Sequence, residues 1–369
     1  MNVSNNSSGI DEQETTLISQ EVFFEFNTAL AQSWIPLAVI GIILNAVNII
    51  VFADARIRNA TSVYLAAISA WQIVLLVSGM ISKIHQFIYG TIGQRSTKFF
   101  YFAAIYINNF VVAAVQRIIF YLVFLVALER MLAIQNPMKK HYFRWLKAPG
   151  KCILLVFCIT FTFHIYSPLK YTVSDTVGDD GRTKYVLERT NHDLDVLINF
   201  GFAAKIIFVY CPLLGIMCCN IILTISLNRK RKIRQQLQEV FVGREARDRQ
   251  TNVAILVSTF VFFLFNLPST TNAFIGDVLP NYSYFSSNRY TLMFFQGVGS
   301  LSALVSCSSD FFTYIIISQT YRNIFMSKFL PCLKPRIEVP THRYVSGNQN
   351  SSFTQSSSMS SLPERVSSN

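Results

Sequence analysis

Seven stretches of this chain are each apolar enough, over a sufficient length, to cross a lipid bilayer as a helix. They lie at about 34–54, 62–82, 101–134, 152–168, 197–227, 252–276 and 291–318. A hydrocarbon core offers no hydrogen-bond partners, so the backbone inside it must bond within its own segment, which a helix does. The expected fold class is therefore all-α, a seven-transmembrane helix bundle over 34–320. An extracellular segment at 1–33 precedes it, and a short amphipathic membrane-surface helix at 321–333 and a disordered cytoplasmic tail at 334–369 follow.

Charge supports the lipid environment and sets a direction. Only 14% of residues are charged, against about 25% in soluble domains. The net charge of +12 is carried mainly by the connections, which argues against nucleic-acid binding. Arg56 and Arg58 follow the first stretch, Lys139, Lys140, Arg144, Lys147 and Lys151 the third, and the run Arg229 to Arg234 the fifth. Residues 1–33 have no Lys or Arg. Positive-inside logic places the N-terminus outside and the C-terminus inside, as a multi-pass protein of the plasma membrane. Asn2, Asn5, Asn6 and Asn281 begin glycosylation sequons on the exterior side. The opening MNVSNNSSGIDEQE does not read as a signal peptide, so the first helix is expected to direct its own insertion. Most cysteines fall in apolar runs and the histidines are scattered, so neither a metal site nor a cofactor is expected.

Several motifs sit at informative places. The third stretch ends ALERMLAIQNP, with Glu129 and Arg130 just before a basic loop. The first holds Asn45, the fifth Pro212, the sixth Pro268, and the seventh Asp310 and Tyr314. On these residues the chain resembles the rhodopsin-like G-protein-coupled receptors over about residues 34–330. Glu129-Arg130-Met131 is similar to the family's acid-Arg-Tyr triplet, and Asp310-Phe311-x-x-Tyr314 to its Asn-Pro-x-x-Tyr. Within that family the style is most similar to invertebrate FMRFamide-type peptide receptors and gastropod chemosensory receptors. Departures are plain. Gln72 stands where the family has an Asp, Cys158 and Asn266 where it has Trp, and the outer disulfide has no cysteines to form it.

The resemblance implies a non-enzymatic receptor that passes an extracellular signal to a heterotrimeric G protein. Its Ser-rich tail is a target for a receptor kinase and arrestin, or a bland linker. Cys332 is a palmitoylation candidate or an ordinary thiol. Arg130 is expected to be latched by Glu129 and by Asp248, twenty residues before Pro268, unless Asp248 is simply a solvated charge. Asn45, Gln72 and Asp310 are read as one polar network, because a carboxylate at membrane depth is costly unless paired. Towards the exterior, Lys83, Arg117 and Lys205 are cations, and no acid is apparent in the outer halves of the spans. With Gln116, Asn266 and Gln296 they form the candidate ligand set, suited to a small acidic chemosensory cue. On a helical wheel Gln116 shares the face of Arg130 within roughly 40°, whereas Arg117 points about 140° away and could instead bind helices together. Lys205 could also snorkel to the interface. A neuropeptide receptor of FMRFamide type is the alternative, and a membrane transporter a remote one. The seventh stretch has no Lys for a retinal Schiff base.

Overall fold

The computed structural model describes residues 18–92, 98–135, 144–177, 183–189, 194–237, 244–279, 281–282 and 286–331. Asn2, Asn5, Asn6, Cys332 and the tail lie outside the described residues, as does the side chain of Asp248.

Eight helices, a short 3-10 turn at Arg144–Lys147 and one hairpin make up the described fold. Helix α1 is Gln20–Phe52 and α2 is Ala60–Ile92. Helix α3 runs as Lys98–Ala103, a wide π-helical segment Ala104–Val112, and Ala113–Gln135. Helix α4 is Pro149–His164, extended by the turn Tyr166–Leu169. Strands β1 (Tyr171–Val177) and β2 (Thr183–Arg189) form an antiparallel hairpin, with Tyr171 opposite Arg189. Helix α5 runs as Leu194–Lys205, a π segment Ile206–Tyr210, and Cys211–Leu237. Helices α6 (Arg244–Val278), α7 (Arg289–Ile317) and α8 (Gln319–Phe329) close the order. Among the described residues seven helices are long and apolar enough to cross a membrane, and they form the bundle.

Helix α1 begins well before residue 34, where hydropathy alone places its start. Ser19 caps it, accepting from the Val22 N–H, with Glu21 in the first turn. The added turns have a reason to stay helical: Phe23 packs on Tyr290 at 5.6 Å and Phe26 on Phe294 at 4.2 Å, both on α7. Helix α8 starts because Ser318 leaves helical geometry and its hydroxyl accepts from Tyr321 N–H. The π segment of α5 sits immediately before Pro212, whose ring cannot continue a regular ladder. Tyr121 of α3 donates to the Ile207 carbonyl there, at 2.9 Å.

Helix α3 is the axis of the bundle: 56% of its apolar window is buried, against 17% for α4 at the periphery. Val115, Ile118, Leu122 and Val126 of α3 meet Tyr64 of α2, Ile216 of α5, Ile255 of α6 and Tyr314 of α7 in one core. Around Pro268 of α6, hydroxyls bond neighbouring carbonyls, Ser302 of α7 donating to Phe265 O and Thr270 to Asn266 O. The hairpin leans on the start of α3 through Lys98–Asp175, 3.1 Å apart, and through Tyr101 against Tyr185.

Candidate functional site

Two cavities lie along α3, one at its middle and one at its Arg130 end, with a belt of polar contacts between them. The first, about 130 Å³, opens towards the hairpin end. Gln116 and Arg117 of α3, Lys205 and Tyr210 of α5, Ser269 and Thr270 of α6, and Gln296 of α7 line it over a floor of Phe120. Four of the six residues picked from the sequence as ligand contacts therefore share one small chamber. The other two do not border it. Asn266 is buried deeper in α6, where its amide donates to Phe262 O and reaches Ser306 of α7 at 3.5 Å. Lys83 lies on α2, away from the chamber.

One expectation about charge changes here. An outer half without acids does not hold: α6 continues to Val278, so Asp277 stands in its last turn rather than in a loop. The Lys205 ammonium contacts both Asp277 oxygens, at 2.5 and 2.7 Å, with side-chain exposures of 31% and 21%. Arg117 points towards α4 and α5, the direction expected of a residue that binds helices together, and it also borders the chamber. Its long side chain reaches the chamber wall, where its neighbours are the phenols of Tyr166 and Tyr210 and the ring of His164. Among the described residues no carboxylate pairs with it. Gln296 is steadied by Asn272 of α6, which donates to it at 3.4 Å and accepts from Tyr282 at 2.7 Å. Asn272 escaped notice in the sequence and Asp277 is read there as a loop acid, because hydropathy alone does not say where a helix turns polar yet stays packed.

The polar belt centres on Asp310 of α7. Gln72 of α2 donates to one carboxylate oxygen at 3.0 Å and Ser258 of α6 to the other at 2.5 Å. Asn45 of α1 is fully buried and donates to the Cys307 carbonyl of α7 at 3.0 Å and to Gly41 O at 2.9 Å. The three residues grouped from the sequence thus divide into two contacts on α7: Gln72 meets the side chain of Asp310 and Asn45 meets the backbone. Ser258 brings α6 into the group.

The second cavity, about 330 Å³, lies at the Arg130 end of α3, lined by Arg56, Arg58, Thr61, Arg130, Tyr314 and Tyr321 among others. Arg130 Nε lies 3.0 Å from Glu129 Oε2, and Arg130 donates to the hydroxyl of Thr61, which itself donates to Glu129 at 2.8 Å. The link from Arg130 to α6 runs to Asn252, at 3.3 Å. Asn252 is one turn beyond Asp248, the acid expected in this role. Tyr314 packs edge-on to Phe52 at 5.1 Å and beside Tyr321, whose hydroxyl donates to Asn48. Beside this cavity Arg56 chelates Asp54, at 2.8 and 3.0 Å, and holds its carboxyl well below the usual carboxylate range.

Comparison with known proteins meets this geometry over most of the chain. Residues 33–332 match a family described as the serpentine type 7TM GPCR chemoreceptor Srw. A protein of Caenorhabditis elegans described as a probable G-protein coupled receptor is 21% identical over 306 residues, 80% of this chain and 68% of that protein. The FMRFamide receptor of Drosophila melanogaster is 22% identical over 308 residues, 79% of this chain and 52% of that receptor. The chain thus spans about half the length of the second relative.

Proposed function

From the premise that this chain belongs to the Srw family of serpentine seven-transmembrane chemoreceptors, we propose that it is a rhodopsin-like plasma-membrane receptor for a small acidic cue. Its family is one of receptors rather than enzymes. In the proposed orientation the hairpin end faces outward and the Arg130 end faces the cytoplasm, where a heterotrimeric G protein docks in the larger cavity. The basic loops and the exposed sequon Asn281, in the turn between α6 and α7, support this orientation.

One observation carries the ligand class: Arg117, Lys205, Gln116 and Gln296, from three helices, converge on one chamber of about 130 Å³. Drug-sized ligands occupy roughly 300 Å³ or more, so this volume suits a compact molecule. A guanidinium at membrane depth with polar neighbours but no carboxylate is a ready anchor for an anion. The amides of Gln116 and Gln296 supply further hydrogen bonds without adding charge.

The signal would pass along α6. Asp277 stands above Pro268, Ser258 touches Asp310 below it, and Asn252 holds Arg130 at the far end. A ligand that moves the outer part of α6 bears on all three contacts. The departure of Asn252 from Arg130 would then open the larger cavity to the G protein.

The test is second-messenger output in cells expressing the full chain, screened with small carboxylates and with amidated peptides. A carboxylate response that Arg117→Gln abolishes, with surface expression retained, supports the reading. A carboxylate response that survives Arg117→Gln overturns the anchor. A response to amidated peptides alone moves the assignment to a peptide receptor, the reading favoured by the likeness to the fly receptor.

A further inference from the structure

The cation that the chamber offers most openly from α5 is already occupied. Lys205 is held by Asp277, a residue outside the candidate ligand set, through both carboxylate oxygens. The pair joins the outer ends of α5 and α6. On α5 it falls at the last residue before the π segment, and on α6 in the last turn, beyond Pro268. Arg117 lines the same chamber, so with the Lys205–Asp277 pair its described charged groups carry one net positive charge. A single monoanion neutralises that charge, whereas a zwitterion leaves it unmatched.

We propose that Asp277 is an internal stand-in for the ligand: a monocarboxylate takes its place on Lys205, bridges to Arg117, and thereby frees the outer end of α6 from α5. The inference rests on the small-acid reading above and adds the charge class and the group the ligand displaces. Exchange is physically reasonable because one carboxylate replaces another. Lys205 keeps an oxygen partner throughout, and Asp277 is released at the mouth of the chamber, where water can reach it. The bridge is also partly exposed, so solvent and salt weaken it and an incoming anion can compete. The ligand gains from Arg117 what Asp277 lacks, a second cation lining the same chamber.

The arrangement has consequences for each partner that a purely structural bridge would not share. Removing the competitor while keeping the shape, Asp277→Asn, should strengthen the response to acids. Removing the cation, Lys205→Ala, should weaken it. Either change should raise ligand-independent activity, because each unties α5 from α6.

The experiment measures nucleotide exchange on G protein in membranes bearing the full-length chain. The probes are straight-chain monocarboxylates from acetate to hexanoate, with butan-1-ol as an uncharged control. Asp277→Asn is expected to lower the half-maximal concentration of the active acids about three- to tenfold. Lys205→Ala is expected to raise it about tenfold or more. Basal exchange should rise in both, and the reversed pair, Lys205→Asp with Asp277→Lys, should bring it back down. If acids act but Asp277→Asn weakens them, Asp277 supports the site rather than competing for it, and the exchange is overturned while the small-acid reading stands. If no acid acts on the wild type or on Asp277→Asn, the small-acid reading falls and the exchange with it. If basal exchange is unmoved in both single variants, the bridge does not restrain α6, and the coupling half of the proposal is overturned whatever the ligand.

Discussion

Arg130 shows how much of a charged side chain's behaviour is set by neighbours without charge. Its guanidinium is shared between Glu129, the Thr61 hydroxyl and the Asn252 amide, which come from three helices. Hydrogen bonds to a charged group contribute roughly 1.5–3 kcal/mol each, so losing one shifts a two-state balance by about tenfold. Thr61→Val and Asn252→Ala should therefore each raise basal G-protein activation several-fold, measured as exchange without added ligand. If neither moves it, the restraint lies elsewhere, with Asp248 the first residue to substitute. Asp54 makes a different prediction. Its carboxyl is held below the usual range chiefly by the hydrogen bond from Arg56, so the clasp is complete above the ordinary carboxylate value of about 3.9. It is lost only as pH falls further, through the lowered folded-state value. Melting of the solubilised receptor between about pH 5 and 8 should have the same pH slope in wild type and Arg56→Ala. A difference in slope inside that window would show that Arg56 acts on some other titrating group.

Helices α6 and α7 touch at a point where no side chain can intervene. A Cβ added to Gly299 would lie 2.8 Å from the Cα of Ser269, which is backbone and cannot swing aside. Ser269 also lines the smaller chamber. Gly299→Ala should thus cost about 1–3 kcal/mol, read as a lower melting temperature, and should blunt the ligand response. Gly150, in the first turn of α4, has open space around it. Gly150→Ala should leave signalling intact and raise stability by about 0.5–1 kcal/mol through helix propensity alone. The contrast separates close approach from backbone preference. Pro268 tests the element differently. With Ala there the N–H of residue 268 can bond the Leu264 carbonyl and the backbone ladder of α6 can close, straightening the helix. Pro268→Ala should lower the maximal response more than it changes the half-maximal concentration, measured in the same exchange assay.

Across the whole molecule, what the sequence makes legible follows from what lipid forbids. The seven spans can be read because unsatisfied backbone is excluded from hydrocarbon, and that rule needs no knowledge of tertiary contacts. The start of α1 could not be read, since Glu21 and Glu25 interrupt the hydropathy of a segment that packing on α7 keeps helical. The hairpin was hidden for a related reason: TVSDTV and KYVLER are too polar for a span and too short to announce a sheet. Site residues divide the same way. Arg117, Lys205, Gln116 and Gln296 stand out because polar groups at membrane depth are rare. Asp277, Asn252, Ser258 and Asn272 do not, because their partners are decided by how the helices pack. The attachment of the hairpin has a last consequence. No cysteine lies in either strand or at the start of α3, and the Lys98–Asp175 pair that holds them is about half exposed, at 46% and 51%. Reductants have nothing to cleave there, whereas dissolved salt screens the pair within a Debye length of about 8 Å at physiological strength. Of the two contacts that attach the hairpin, the ion pair yields to salt while the Tyr101–Tyr185 packing does not, and neither depends on redox state.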